Sequence, residues 1–205
     1  MRRGGHSTAA QPAYPTARAN DYDSFAEAYS AETENSLINA YIARPAIMAL
    51  AGDVAGRRIL DAGCGSGPLS AALRERGAVV TGVDAGAGML AVARRRLGDD
   101  ADLHVADLRD PLPFDDGAFD DVVASLVLNY LEDGQPFPMT FWRRPLQAMT
   151  DAFAAAGFRL AVISEPKADP AAREVFPDDF PNFADKLAFL CFVVEVPPPD
   201  AGADA

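Results

Sequence analysis

Residues 59–73 read ILDAGCGSGPLSAAL: an apolar run, a carboxylate at Asp61, glycines at Gly63, Gly65 and Gly67, and then Pro68. Glycines at alternate positions between a strand and a helix let backbone approach a ligand closely, and a nucleotide is the usual beneficiary. A dinucleotide fingerprint needs G-x-G-x-x-G, but Pro68 stands where its third glycine belongs. Asp61, two residues before Gly63, would repel a pyrophosphate in that turn and favours a cation instead. Asp84 follows Gly63 by 21 residues, at the end of the apolar run AVVTGVD, where an acid accepts hydrogen bonds from both ribose hydroxyls. Together the two acids describe a nucleoside carrying positive charge, as S-adenosylmethionine does in its ammonium and sulfonium groups.

These residues need a frame of strands and helices, and the flanking sequence supplies one. RRILDAG (57–63) predicts a strand, PLSAALRERG a helix with Pro68 in its first turn and Gly77 at its end, and AVVTGVD (78–84) a second strand. GMLAVARRRLG predicts a helix, DLHVAD (102–107) a third strand, and FDDVVASLVL a fourth strand running into a short helix. This βαβαβ rhythm predicts a doubly wound parallel sheet. Upstream, Tyr22, Phe25, Ala26 and Tyr29 stand at helical spacing, and a second helix is expected over 36–51. The basic run ARRRL (93–97) reads as the solvated face of a helix, and His104 as a satisfied core residue inside a strand.

With these motifs in order, the sequence resembles the class I S-adenosylmethionine-dependent methyltransferases, in particular the small-molecule group with LDAGCGxG after the first strand. The resemblance covers roughly residues 21–196. It implies that Asp61, Gly63, Gly65 and Gly67 cradle the methionine part and that Asp84 binds the ribose. It places Ala85 and Met89 beside the adenine, Asp107 on the adenine amine and Leu108 next to it through its backbone. Ser125 and Leu126 would border the sulfonium end, and YDSFAEAY would be the helix that closes over the cofactor, with Tyr22 and Tyr29 as contacts. Plain readings stand beside some of these: Tyr22 and Tyr29 as a buried helical stripe, Met89 as core, Asp107 as a turn former before LRDPLPF. No catalytic residue is assigned, although Tyr130, Glu132 and Asp133 lie just past the fourth strand, where ligands bind in such sheets.

A chain of 205 residues that is 49% hydrophobic suits one domain, over 21–196, between disordered tails at 1–20 and 197–205. A net charge of −12 argues against nucleic acid or an anionic membrane as partner, and the resemblance implies a small-molecule methyl acceptor. Cys64 and Cys191 form no metal-binding or disulfide spacing, which fits a reducing cytoplasm. No run is long enough to span a membrane and the N-terminus lacks a signal-peptide core; oligomeric state stays open.

The family usually continues through a helix, a glycine turn and a fifth strand, yet here EDGQPFPMTFWRRPLQAMTDAFAAAGFRLAVISEP runs directly to the next helix and strand. The expected architecture is therefore an α/β, Rossmann-like sheet of six strands, mostly parallel with an antiparallel last strand, in the order 3-2-1-4-7-6, which is the family's 3-2-1-4-5-7-6 without its fifth strand. In that order LAFLCFVVEV (187–196) pairs antiparallel with 119–125 and closes the gap beside the fourth strand. The loop EVFPDDFPNF, with Trp142, either lines an acceptor pocket or covers the sheet edge.

Overall fold

The structure, a computed structural model, describes residues 26–127, 145–184 and 189–197. Its centre is a parallel sheet of β1 (Arg58–Ala62), β2 (Val79–Asp84), β3 (Asp102–Val105) and β4 (Asp121–Val123) in the order β3-β2-β1-β4. β1 is central, so Ile59, Leu60, Asp61 and Ala62 are all buried, and its near-continuous apolar run is what a strand covered on both faces requires. Crossover helices α1 (Pro68–Glu75) and α2 (Ala87–Leu97) join β1 to β2 and β2 to β3. Pro68 starts α1 after Gly67, which sits at φ 80°, a left-handed conformation that suits glycine.

Each face of the sheet has its own core. Leu69 and Leu73 of α1 join Met48, Val54, Ile59 and Ala78 in one cluster. Leu60, Ala62 and Val83 meet Leu112, Phe114 and Phe119 in another. The Phe114 and Phe119 rings pack edge to face at 5.0 Å, so the 106–120 connection is pinned by aromatic contact rather than by a helix. His104 is not the core residue expected from the sequence: its side chain is 42% exposed and its Nε2 lies 2.7 Å from Asp102 Oδ1. The strand is near the sheet edge, and only one side of it is covered.

The helices ahead of the sheet are Ala26–Thr33, a wide turn at Asn39–Ala43, and Arg44–Ala51 continuing from it. The expected helix over 36–51 is present in this composite form. The arginine run of α2 is more than a solvated face. Arg95 pairs with Glu27, and Arg96 grips the Glu34 carboxylate with both terminal nitrogens, one of them at 2.7 Å from Oε2. Arg44 donates to the Glu34 carbonyl at 3.0 Å. The N-terminal segment is thus latched to the helix that follows β2. A run of like charge does not reveal its partners when they lie about sixty residues away in the chain.

The C-terminal part corrects the expected strand order. Beyond the helix Leu146–Ala155, β5 (Arg159–Ser164) pairs antiparallel with β6 (Cys191–Glu195), as expected for the last two strands. These two strands, however, form a separate sheet, and β6 does not pair with β4. Among the described residues the outer edge of β4 carries no strand, and Val122 is 62% exposed. The physical reason lies in ladder length: β4 offers only three residues to a strand on its outer edge, whereas β5 and β6 pair at five positions across a bulge at Ala161 and add the Arg159–Glu195 ion pair at one end. An apolar run shows that a strand wants cover, not which neighbour gives it. The six strands and the Rossmann-like α/β fold stand, divided four and two.

Candidate functional site

The chemistry collects where β1, β2 and β4 end. β1 delivers Asp61 to the top of the sheet, fully buried beneath the glycine turn. The Ser70 hydroxyl, in the first turn of α1, donates to Asp61 Oδ2 at 2.6 Å, and the Ser70 backbone N–H also favours the carboxylate. Asp61 Oδ1 is buried with no hydrogen-bond partner among the described residues. Burial pushes the Asp61 carboxyl up to about 6, against the pull of Ser70 and with the help of the Asp84 charge. A second anion beside a buried, incompletely bonded carboxylate is unfavourable by itself and is relieved by a cation.

Asp84, at the tip of β2, is half-buried. It accepts from the Gly65 N–H at 2.9 Å and from the Gly86 N–H at 2.8 Å. One carboxylate therefore fixes both the glycine turn and the start of α2. Cys64 lies buried beneath the turn, and burial first, then the charges of Asp61 and Asp84, pushes its thiol far up. It stays a neutral thiol.

The three glycines do different work. A Cβ on Gly63 would come within 1.9 Å of Val127 Cγ2, and one on Gly67 within 3.0 Å of Leu97 Cδ1, so both spaces are filled by the chain itself. A Cβ on Gly65 would meet only Met89 Cε, at an ordinary 3.4 Å. Among the described residues, Gly65 is thus the one of the three glycines with room at its Cβ position. Met89 is buried, as its core reading expects, and its Cε lies beneath that glycine. Ala85 is exposed beside Asp84, and Leu108 is 39% exposed.

Asp107 takes the form of a turn: its carboxylate binds the Arg109 N–H at 3.0 Å and the Arg109 guanidinium in bidentate fashion. Ser125 and Leu126 follow β4, and Leu126 has φ 55°, the one left-handed non-glycine residue among the described residues. Strain of this kind is kept only where surroundings enforce it, and here it turns Val127 onto Gly63. Tyr29 is half-buried in the latched N-terminal helix. Tyr22, Tyr130, Glu132, Asp133 and Trp142 lie outside the described residues.

Two features escaped the sequence reading. Ser70 is one; its signal was a hydroxyl three residues into a helix that opens on a buried acid. Arg96 is the other: besides holding Glu34, its Nε donates to the Ser66 carbonyl at 2.9 Å, tying the N-terminal segment to the glycine turn. The aromatic loop faces that same segment, with Phe176, Asp179 and Phe183 forming one wall of an open cleft and Glu32 to Ile38 the other. No helix among the described residues is long and apolar enough to cross a membrane.

Residues 60–144 match the family described as the methyltransferase domain. The chain is 46% identical over 110 residues to demethylmenaquinone methyltransferase of Clavibacter sepedonicus, covering 52% of this chain and 44% of that protein. It is 58% identical over 41 residues to the ubiquinone biosynthesis O-methyltransferase of Pseudomonas aeruginosa strain LESB58, 20% of this chain and 18% of that one. The chain thus spans less than half the length of these curated relatives. Its fold is similar to a Haloferax volcanii chain from a complex between a methyltransferase activator and a methyltransferase, with a TM-score of 0.65 and 22% identity over 86% of this chain and 98% of that chain. The motif order, the acid-flanked glycine turn and the sheet order around it agree with the family match: over residues 60–144 the chain is similar to the methyltransferase-domain family, and its sheet order is the one expected of a class I S-adenosylmethionine-dependent methyltransferase.

Proposed function

We propose that this protein transfers a methyl group from S-adenosylmethionine to a small-molecule acceptor, working in the reducing cytoplasm that its two free cysteines suit. The observation that carries this reading is the pair of carboxylates at one glycine turn, one of them fully buried with an oxygen unpartnered among the described residues. That donor set fits a ligand with an ammonium group and a ribose. Asp61 and the turn Gly63, Gly65 and Gly67 hold the methionine part, and Asp84 takes the ribose. Ala85, Met89 and Leu108 flank the adenine, where Asp107 shares its carboxylate with Arg109. Ser125 and Leu126 stand toward the sulfonium end, with Tyr29 and Tyr22 on the closing helix.

The bound cofactor supplies a methyl already activated by its positive sulfur. The protein's part is then to align the acceptor and keep water out, which can supply on the order of 7–11 kcal/mol of the barrier without a base. The quinone-pathway names of the curated relatives support an acceptor of small-molecule size. Isothermal titration with S-adenosylmethionine, followed by a labelled-methyl screen over phenols, quinols and other small acceptors, tests the reading. Gly65→Val is the control: it should lose binding while keeping its helical circular dichroism. Normal binding by that variant, or preference for a nicotinamide dinucleotide, would refute the site. The edge of β4, unpaired among the described residues, favours a second reading, a cofactor-binding or subunit-interaction protein without turnover, which the same screen identifies by binding with no transfer.

A further inference from the structure

The two oxygens of Asp61 differ in their surroundings. Oδ2 takes the Ser70 hydroxyl at 2.6 Å, and Oδ1 is buried with nothing among the described residues to accept from. A carboxylate rotates freely about its Cβ–Cγ bond until something holds one oxygen, and Ser70 does so here from the first turn of α1. The groups facing Asp61 are Ser70 from α1, Asp84 from β2 and the neutral thiol of Cys64 in the turn. None of them supplies positive charge. We propose that Ser70 is a positioning residue which aims Asp61 Oδ1 at the cofactor's ammonium group, and that Asp61 releases a proton to solvent when the cofactor binds. This rests on the cofactor site proposed above and goes beyond it, since it makes binding proton-linked and gives Ser70 a part in it.

The sign follows from burial. Before binding, the Asp61 carboxyl titrates at about 6, mainly because burial disfavours its charge. A ligand ammonium favours the ionised form, so the bound pKa falls, and affinity must drop as pH falls below about 6, at a limiting slope of about tenfold per pH unit. Removing the Ser70 hydroxyl takes away a bond to the ionised form, which moves this fall-off to higher pH.

The experiment is calorimetry on the full chain from about pH 5 to about pH 8, in buffers of different ionisation enthalpy. S-adenosylhomocysteine carries the ammonium group, and methylthioadenosine lacks the amino-acid part. S-adenosylhomocysteine should bind with proton release near pH 6 and lose affinity below it, while methylthioadenosine binding stays flat. Ser70→Ala should shift the fall-off upward, and Ser70→Thr should restore it. If Ser70→Ala does not fold, Asp61→Asn decides: weaker binding that no longer depends on pH. A profile unchanged in Ser70→Ala, or the same pH dependence for methylthioadenosine, overturns the inference while leaving the cofactor site standing. Failure of both nucleosides to bind at any pH overturns the cofactor site, and the inference with it.

Discussion

Gly63→Ala should be among the most damaging single changes at the glycine turn, and the damage should come from the chain's own packing. Gly63 has φ 78°, and an alanine held there costs about 1–2 kcal/mol. Its Cβ would also overlap Val127 Cγ2 at 1.9 Å, a collision that only backbone movement or a rotated valine can relieve, at about 1–3 kcal/mol. The sum, about 2–5 kcal/mol, is a large share of the roughly 5–15 kcal/mol that holds a domain of this size folded. The two parts can be separated. Val127→Ala removes Cγ2 and hence the overlap, but leaves the strained φ in place.

Urea unfolding of the parent, the two single variants and the double variant gives the coupling. Val127→Ala alone should cost about 1 kcal/mol for a half-buried valine. The double variant should be more stable than additivity allows by about 1–3 kcal/mol, while remaining about 1–2 kcal/mol short of Val127→Ala because the backbone strain persists. Single effects that add to within about 0.5 kcal/mol would mean that Val127 does not pack into the space over Gly63, and that this glycine is kept for the ligand after all.

Asp84→Ala should weaken S-adenosylmethionine binding by at least about a hundredfold and also lower the melting temperature, because the Gly65 and Gly86 N–H groups lose their shared acceptor; unchanged affinity in a titration would remove Asp84 from the site. Asp61→Asn should have opposite effects on folding and binding. The native-state rise from 3.8 to about 6 means that the stability tied to protonated Asp61 is complete below 3.8 and lost as pH climbs through about 6. The neutral asparagine should therefore exceed the ligand-free parent by up to about 3 kcal/mol near pH 8 and by almost nothing near pH 4, as read by urea unfolding. A gain that does not change with pH would contradict the burial argument.

What the sequence disclosed follows the range of the forces involved. The turn, both acids and the run from β1 through α2 were legible nearly to the residue, because alternating glycines, Pro68 and a strand of continuous apolar residues are local signals. Met89 was legible as core or as a cofactor contact, and the structure shows it buried beside Gly65. Ser70, the latch of Glu34 to Arg96, and Val127 over Gly63 depend on which remote segment comes into contact. The separation of β5 and β6 from β4 was hidden for the same reason: the run LAFLCFVVEV records a need for cover, and both candidate partners are apolar.

The distribution of charge around the turn also bears on how the reaction proceeds. Among the described residues, the titratable groups there are held in place: Asp61 by Ser70 through one oxygen, Asp84 by two backbone N–H groups, Asp107 by Arg109, and Cys64 is a neutral thiol beneath them. His104 points its Nε2 to Asp102 and packs its ring on Phe114 at 5.4 Å. Removing a proton from an acceptor would disrupt one of these arrangements, and each of them shapes the turn. Under the proposed function, the described site would hold a charged nucleoside in a fixed pose. With an activated methyl, such a pose would be the larger part of catalysis, since alignment outweighs the roughly 10²–10⁴-fold that a general base contributes. The acceptor's own acidity then becomes decisive: acceptors that are ionised or carbon-nucleophilic near neutral pH should be methylated ahead of neutral alcohols. Faster transfer to a neutral alcohol than to a phenol of similar size, measured with the labelled methyl donor, would require a base that this arrangement does not provide.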